Sequence, residues 1–331
     1  MQLLALPINF EVKGGRNGSI LGEYAFLITL HRLSYPSTLE NMENIWGKDF
    51  TFLSKVFNTT LDWLYDIHRH RIIGNINWYS DRFDYYNQVL YSIRKRLFLH
   101  INLFYIYIQQ IRWAILQSAH LPVPGEIPAN LDRIFAFLDG SAKEMCKPGG
   151  HPAVQNAMWN GYYHGHYLIW QGVSFPDGML VLEGPFPGYQ TDTMVWRDCL
   201  IREHLDAIME ERLAEDPPRP RLRLYADKIY NTSNLVLAAW SLRHGPVAEW
   251  QTLENRIMSG IRIGIEWTFG TIIMLFAFCD FCKGQRLFGS PIARQYTVSA
   301  FLANCHCCMY GDEHTAHFNC RAPTLEEYLE D

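Results

Sequence analysis

From Asn255 to Phe281 the chain reads NRIMSGIRIGIEWTFGTIIMLFAFCDF, an apolar run with one carboxylate, Glu266, near its middle. Ser259, Arg262, Glu266 and Gly270 recur at helical spacing and so share one face, while Ile261, Ile265, Trp267, Ile272 and Phe276 cover much of the rest. The pattern predicts a buried helix. An acid on such a helix is costly unless it is ion-paired, here to Arg262 or Arg256, or bound to a cation.

Before residue 121 the pattern is helical. Leu21 to Leu33 is one apolar stretch, broken at Ser34 to Ser37 by Pro36. Thr38 caps a short second helix ending near Trp46, and Gly47-Lys48-Asp49 makes a turn. A third helix carries Leu53, Val56, Phe57, Leu61, Leu64 and His68 at i, i+3, i+4 spacing and leaves Thr51, Lys55, Asn58 and Thr59 facing out. Short helix, glycine turn and longer helix outline a helix-turn-helix, and equally an ordinary three-helix bundle. A helix is expected from Tyr85 to about His120, and a proline-rich linker from Leu121 to Pro128.

Beyond the linker strand-length apolar runs take over. Ile134 to Leu138 ends in Asp139-Gly140. His164 to Ser174 and Met179 to Leu182 flank Pro176-Asp177-Gly178 and read as a hairpin. Asp192 to His204 looks helical, and Leu222 to Ala226 is a fourth strand ending in Asp227. Asn234 to Leu242 is a short helix or loop before the long apolar helix. The order β-β-β-α-β-α, with acids after two strands and on the last helix, outlines an α/β, RNase H-like domain, a mixed sheet flanked by helices, preceded by an all-α helix-turn-helix-like domain. Residues 1–130 form the helical region, 131–311 the α/β domain and 312–331 an acidic tail.

Composition narrows the class. With 331 residues, 48% hydrophobic, the chain can bury a sizeable core. Eight cysteines and a start interrupted by Pro7 and Glu11, without a basic leader, read as reduced thiols inside the cell. Leu97 to Ile108 is too short to span a bilayer, and the long helix carries Glu266, so no membrane is expected. Net charge is -5, and the residues after Gly311 sum to -5 (Asp312, Glu313, Glu326, Glu327, Glu330 and Asp331 against Arg321), leaving the rest neutral. Local basic surfaces remain at His68-Arg69-His70-Arg71 and Arg94-Lys95-Arg96.

The acids indicate the chemistry. Two or three carboxylates hold Mg2+ or Mn2+ through hard oxygen ligands, and the ion completes its shell with water and substrate phosphates. Two ions ~4 Å apart activate a water or 3′-hydroxyl and stabilise the leaving oxygen. Asp139, Asp227 and Glu266 are the candidates, and Asp192 is either an N-cap or a fourth acid of the site. Asp177, Glu183 and Asp198 read as turn or surface residues.

These residues lie in blocks that resemble a known family. FAFLDGS (135–141), WNGYYHGH (159–166), GPFPGYQTD (184–192), LYADKIY (224–230), NRIMSGIRIGIEWTFG (255–270), LANCHCCMYG (302–311) and PTLEEYL (323–329) occur in the order found in the PIF/Harbinger DDE transposases and the nucleases derived from them. The resemblance implies a metal-dependent DNA endonuclease using Mg2+ or Mn2+, with Asp139, Asp192, Asp227 and Glu266 as metal ligands and Asp139, Asp227 and Glu266 catalytic. It favours DNA binding by the first domain, where Lys55, Arg69 and Arg71 are expected to be exposed together, and the expected setting is a separate DNA-binding partner protein and a place in the nucleus or in nucleus and cytoplasm. Where the family carries basic residues, this chain has Tyr163-His164, Tyr189 and Thr191. The alternative is a domesticated, catalytically weak protein that binds DNA or another protein.

Two features stand apart. Cys279, Cys282, Cys305, His306, Cys307 and Cys308 read as buried thiols, with a zinc site as the rival. Arg94 to Ile111 has no clean periodicity and no counterpart in the resembling family, and reads as an insertion outside the working fold, translated intron sequence.

Overall fold

The structure, a computed structural model, describes residues 4, 6–13, 18–112, 133–242 and 245–330, and the side chains at 98–112 and 249–250 lie outside the description. Strands β1 (Asn9–Glu11) and β2 (Ser19–Leu21) pair antiparallel ahead of three helices, α1 (Gly22–Ser34), α2 (Leu39–Trp46) and α3 (Phe50–His68). Local chemistry sets these ends. The Thr38 hydroxyl accepts from the Asn41 amide, Gly47 closes α2 at φ +60°, and the Asp49 carboxylate accepts from the Thr51 and Phe52 amides.

After α3 come α4 (Phe83–Arg112), β3 (Ile134–Glu144), α5 (Pro152–Met158), β4 (Trp159–Asn160), β5 (Gly165–Ser174) and β6 (Leu180–Pro187). Then follow α6 (Asp192–Asp198), α7 (Leu200–Ala214), β7 (Arg223–Ala226) and β8 (Val236–Ala238). Helices α8 (Glu249–Leu275), α9 (Ile292–Tyr310), α10 (Glu313–Phe318) and α11 (Leu325–Leu329) complete the chain. The fold is mixed α/β. In its main sheet β5 pairs antiparallel with β3, β6 and β4, while β3, β7 and β8 run parallel. Ile134 to Leu138 are all buried, as a central strand covered on both faces requires.

Several expectations change. Strand β3 does not stop at Asp139 but continues to Glu144, because β5 supplies partners as far as Tyr167. The helix expected over 192–204 breaks at Cys199, and 236–238 is a strand beside β7. Helix α8 buries a stripe (Ile257, Ile261, Ile265, Thr268, Ile272) rather than its whole circumference, so the Glu266 side chain keeps 55% of its exposure.

The first helices do not form a core of their own alone. Leu61, Leu64, Tyr79 and Phe83 belong to the same buried cluster as Phe135, Phe175 and Phe301, and among the described residues a small second cluster sits between β1, α1, α2 and α3. His68 stacks on Phe301 with ring centroids 4.5 Å apart. Within the expected acidic tail, residues 312–330 pack onto the fold, since Tyr328 is buried and α11 ends on Arg71. Arg94, the first residue of the supposed insertion, is buried and ion-pairs with Glu254 at 3.6 Å. The linker at 121–128 and the side chains of 98–111 lie outside the described residues.

Candidate active site

The site starts from strand register. Leu138 on β3 pairs with Ala226 on β7 in parallel, so the next residues, Asp139 still within β3 and Asp227 just past the end of β7, follow side by side. The Asp139 carboxylate accepts from the Gly140 amide at 2.9 Å and from Arg262 Nη1 at 2.8 Å. Beneath it, Gln171 Nε2 on β5 donates to the Asp139 carbonyl at 2.7 Å and to the buried Tyr230 hydroxyl at 3.1 Å.

Asp192 opens α6 and lies over the backbone of Gly140. A Cβ on Gly140 would sit 2.5 Å from Asp192 Oδ1, so the approach requires glycine. Three carboxylates therefore share a half-buried corner. Burial pushes the Asp139 carboxyl up to about 6, with the charges of Asp192 and Asp227 adding to the rise against the opposing pull of Arg262 and the Gly140 amide. Asp192 is raised by burial and then by Asp227. Like charges held together out of water are a cation-binding arrangement.

Glu266 reaches this corner through Arg262, whose guanidinium donates to Asp139 with Nη1 and to Glu266 Oε1 with Nη2 at 2.9 Å. The expected pairing of Glu266 with Arg262 is thus present, on an exposed rather than a buried face. The donor set, all hard oxygen, fits a divalent ion of the Mg2+ class. Among the described residues, however, no three His, Cys, Asp or Glu side chains stand close enough to hold an ion as they are, and Arg262 lies between Asp139 and Glu266.

Two acids read as turn or surface residues are buried. Asp177 is fully buried: its carboxylate accepts from Arg82 (2.8 Å), the Tyr86 hydroxyl (2.6 Å) and the Met179 amide (3.2 Å). Glu183 accepts from the Leu200 and Ile201 amides at 2.8 and 2.9 Å, capping α7 from a neighbouring strand. Asp198 is exposed, as expected.

Of the residues expected to meet DNA, Lys55 is half-buried and Arg69 exposed. Arg71 is buried and donates to the carbonyls of Tyr328, Leu329 and Glu330 at 2.7 to 2.9 Å, so it does not share their surface. Thr59 is also buried, its hydroxyl accepting from the Lys13 amide. All eight cysteines are free, with Cys279 and Cys305 buried in the core.

Sequence reasoning missed Gln171 and Tyr230 beneath Asp139, and the requirement at Gly140. The Asp-Gly pair at 139–140 was the available signal, since a glycine inside a strand marks a close approach. Among the described residues no helix is long and apolar enough to cross a membrane. Comparison with curated proteins and with solved structures returned no match. A family model described as DDE superfamily endonuclease matches residues 138–304, just over half of the 331, and its span takes in Asp139, Asp192, Asp227 and Glu266. The chain therefore belongs to the DDE superfamily endonucleases, a transposase-like nuclease family whose substrate is DNA and whose members generally use divalent metals.

Proposed function

We propose that the chain is a DNA endonuclease of the PIF/Harbinger transposase type, cleaving phosphodiester bonds with Mg2+ or Mn2+ held by Asp139, Asp192, Asp227 and Glu266. The observation that carries this reading is the meeting of three repelling carboxylates: Asp139 within β3, Asp227 just past the parallel β7, and Asp192 at the start of α6. The strand pattern, a three-stranded antiparallel part followed by two parallel strands, supports an RNase H-like fold.

A bound divalent ion would activate the attacking water or 3′-hydroxyl and stabilise the leaving oxygen. This chain's residues supply the frame. Asp139 and Asp227 are fixed by paired strands, Asp192 by the start of α6, and Gln171 locks the backbone behind Asp139. Arg262 offsets the crowded negative charge by pairing with Asp139 and Glu266 in the absence of the ion. Helices α1 to α3 contact DNA, with Lys55 and Arg69 available and Arg71 serving the core instead. Nuclear action and a separate DNA-binding partner complete the reading.

Nicking of labelled duplex DNA in Mn2+ against EDTA tests it. Wild type should nick only with the ion, and Asp227→Asn and Glu266→Gln should each lose at least about 100-fold, the upper range for disturbing a group one layer further out. Metal-independent nicking, or full activity in both variants, would sink the proposal.

A further inference from the structure

Beside the acids the chain presents aromatic rings where a nuclease surface ordinarily presents cations. Tyr162 is 83% exposed, and Tyr163, Tyr189 and Trp159 are exposed too. Single exposed aromatics are unremarkable, but four on the short strand β4 and the two joined loops beside it form a surface patch that calls for an occupant.

The loops are built to hold this patch. Asn160 is buried: its Oδ1 accepts from the Tyr162 and Tyr163 amides at 2.9 and 3.1 Å, and its Nδ2 donates to the Gly188 carbonyl at 2.8 Å. The Tyr189 amide donates to the Ala157 carbonyl, and a Cβ on Gly188 would strike the Met158 carbonyl. His164 closes the turn at φ +53°, in the left-handed region. Tyr163 packs on Tyr167 at 5.0 Å between centroids, and Tyr162 sits edge-on to Tyr163 at 4.9 Å and 84°. Rings braced in this way lose little freedom when a flat group lands on them.

The patch adjoins the acids. Tyr189 precedes Asp192 by three residues, and Tyr163 lies close enough to Asp192 and Asp139 for their charges to raise its phenol, after burial. Between Lys147 and Arg197 the sequence has no lysine or arginine, so these loops bring no lysine or arginine of their own to grip phosphates. What rings and hydroxyls without cations recognise is the face of a base, and a base inside a duplex keeps its face stacked.

We propose that Tyr162 and Tyr163, with Trp159 and Tyr189 beside them, are a stacking platform for unpaired bases of the DNA strand next to the cleavage site. This rests on the endonuclease reading for its substrate but not for its test. The enzyme's preferred substrate is then DNA with an unpaired segment, such as a flap, frayed end or opened junction.

The test is binding of the full chain in EDTA, where no cleavage interferes, to a duplex with a short single-stranded flap and to the same duplex fully paired. Wild type should prefer the flap and quench a 2-aminopurine placed in it. Tyr162→Ala, at a site too exposed to carry the fold, and the Tyr162→Ala/Tyr163→Ala pair should lower flap affinity, the pair by about tenfold. Both should leave paired-duplex affinity unchanged, and Tyr→Phe at both positions should restore the flap preference. Equal binding of the two DNAs by wild type, absence of binding to either, an unquenched probe, or alanine variants that bind the flap normally would each overturn the platform. If wild type nicks paired DNA while the flap preference is missing, the platform fails and the nuclease reading stands. Flap preference without any nicking gives the opposite division.

Discussion

The chain contains one Asp-Gly pair inside β3 and another in the turn between β5 and β6, and they do opposite things. Asp139 precedes Gly140 and Asp177 precedes Gly178, and burial pushes both carboxyls up to about 6. Around Asp177 every neighbour serves the carboxylate: Arg82, Tyr86 and the Met179 amide all donate to it. Around Asp139 two further carboxylates push against it, and a single guanidinium is shared with Glu266. A raised carboxyl alone therefore does not mark a functional site. The mark is like charge left close together without enough local donors, because folding does not place repelling acids side by side to gain stability. Removing the acid should cost stability at Asp177 and function at Asp139.

The largest expected effect follows at Asp177. Asp177→Ala strands the Tyr86 hydroxyl and the Arg82 guanidinium, and unfolding by urea should show a loss of about 3–5 kcal/mol. Asp177→Asn sharpens the comparison through pH. Because burial raises the folded-state pKa above the ordinary 3.8, the folded chain holds this proton more tightly than the unfolded one. That contribution is fully present below about pH 4 and is lost as pH rises through about 6. The stability of wild type relative to Asp177→Asn should thus fall between pH 4 and 7, by on the order of 2 kcal/mol. A difference independent of pH would show that Asp177 is charged without penalty.

Next comes Gly140→Ala. The new methyl meets the free end of the Asp192 side chain, which can turn away, so unfolding free energy should change by less than about 1 kcal/mol. Nicking should nevertheless drop by about 10- to 100-fold, as for loss of a positioning contact at a metal. A stable, fully active Gly140→Ala would remove Asp192 from the site.

The smallest effect belongs to Arg262→Gln. Removing the guanidinium frees Asp139 and Glu266 from a competing cation, so Mn2+ affinity read by electron paramagnetic resonance should rise by a few-fold. The melting temperature in EDTA should fall, because the acids lose their counter-charge. Weaker Mn2+ binding would mean that Arg262 holds the acids in their binding arrangement rather than blocking it.

Much of the frame was legible in the sequence because it is local. Thr38, Gly47 and Asp49 announce helix ends through their own side chains or lack of one, and five apolar residues followed by Asp139 announce a buried strand opening onto a charge. The hairpin around Asp177 was legible too, but the burial of Asp177 was not: its donors, Arg82 just before α4 and Tyr86 in its first turn, lie about ninety residues earlier in the chain. Arg71 was misjudged for the same reason, since its partners are carbonyls at the far end of the chain. A Pro-Asp-Gly turn and a basic run both read as surface until their partners are known. The exposure of Glu266 escaped because α8 is apolar on its outer face as well, at Ile263 and Met274.

The central claim is that Asp139, Asp192 and Asp227 are held together for a divalent ion, whereas Asp177 is held for the fold. Mn2+ titration of the purified full chain, followed by electron paramagnetic resonance, tests this directly in wild type, Asp227→Asn and Asp177→Asn. Wild type and Asp177→Asn should bind the ion alike, and Asp227→Asn should bind it at least about tenfold more weakly while melting no lower than wild type. Undiminished binding by Asp227→Asn, or loss of binding confined to Asp177→Asn, would contradict the account.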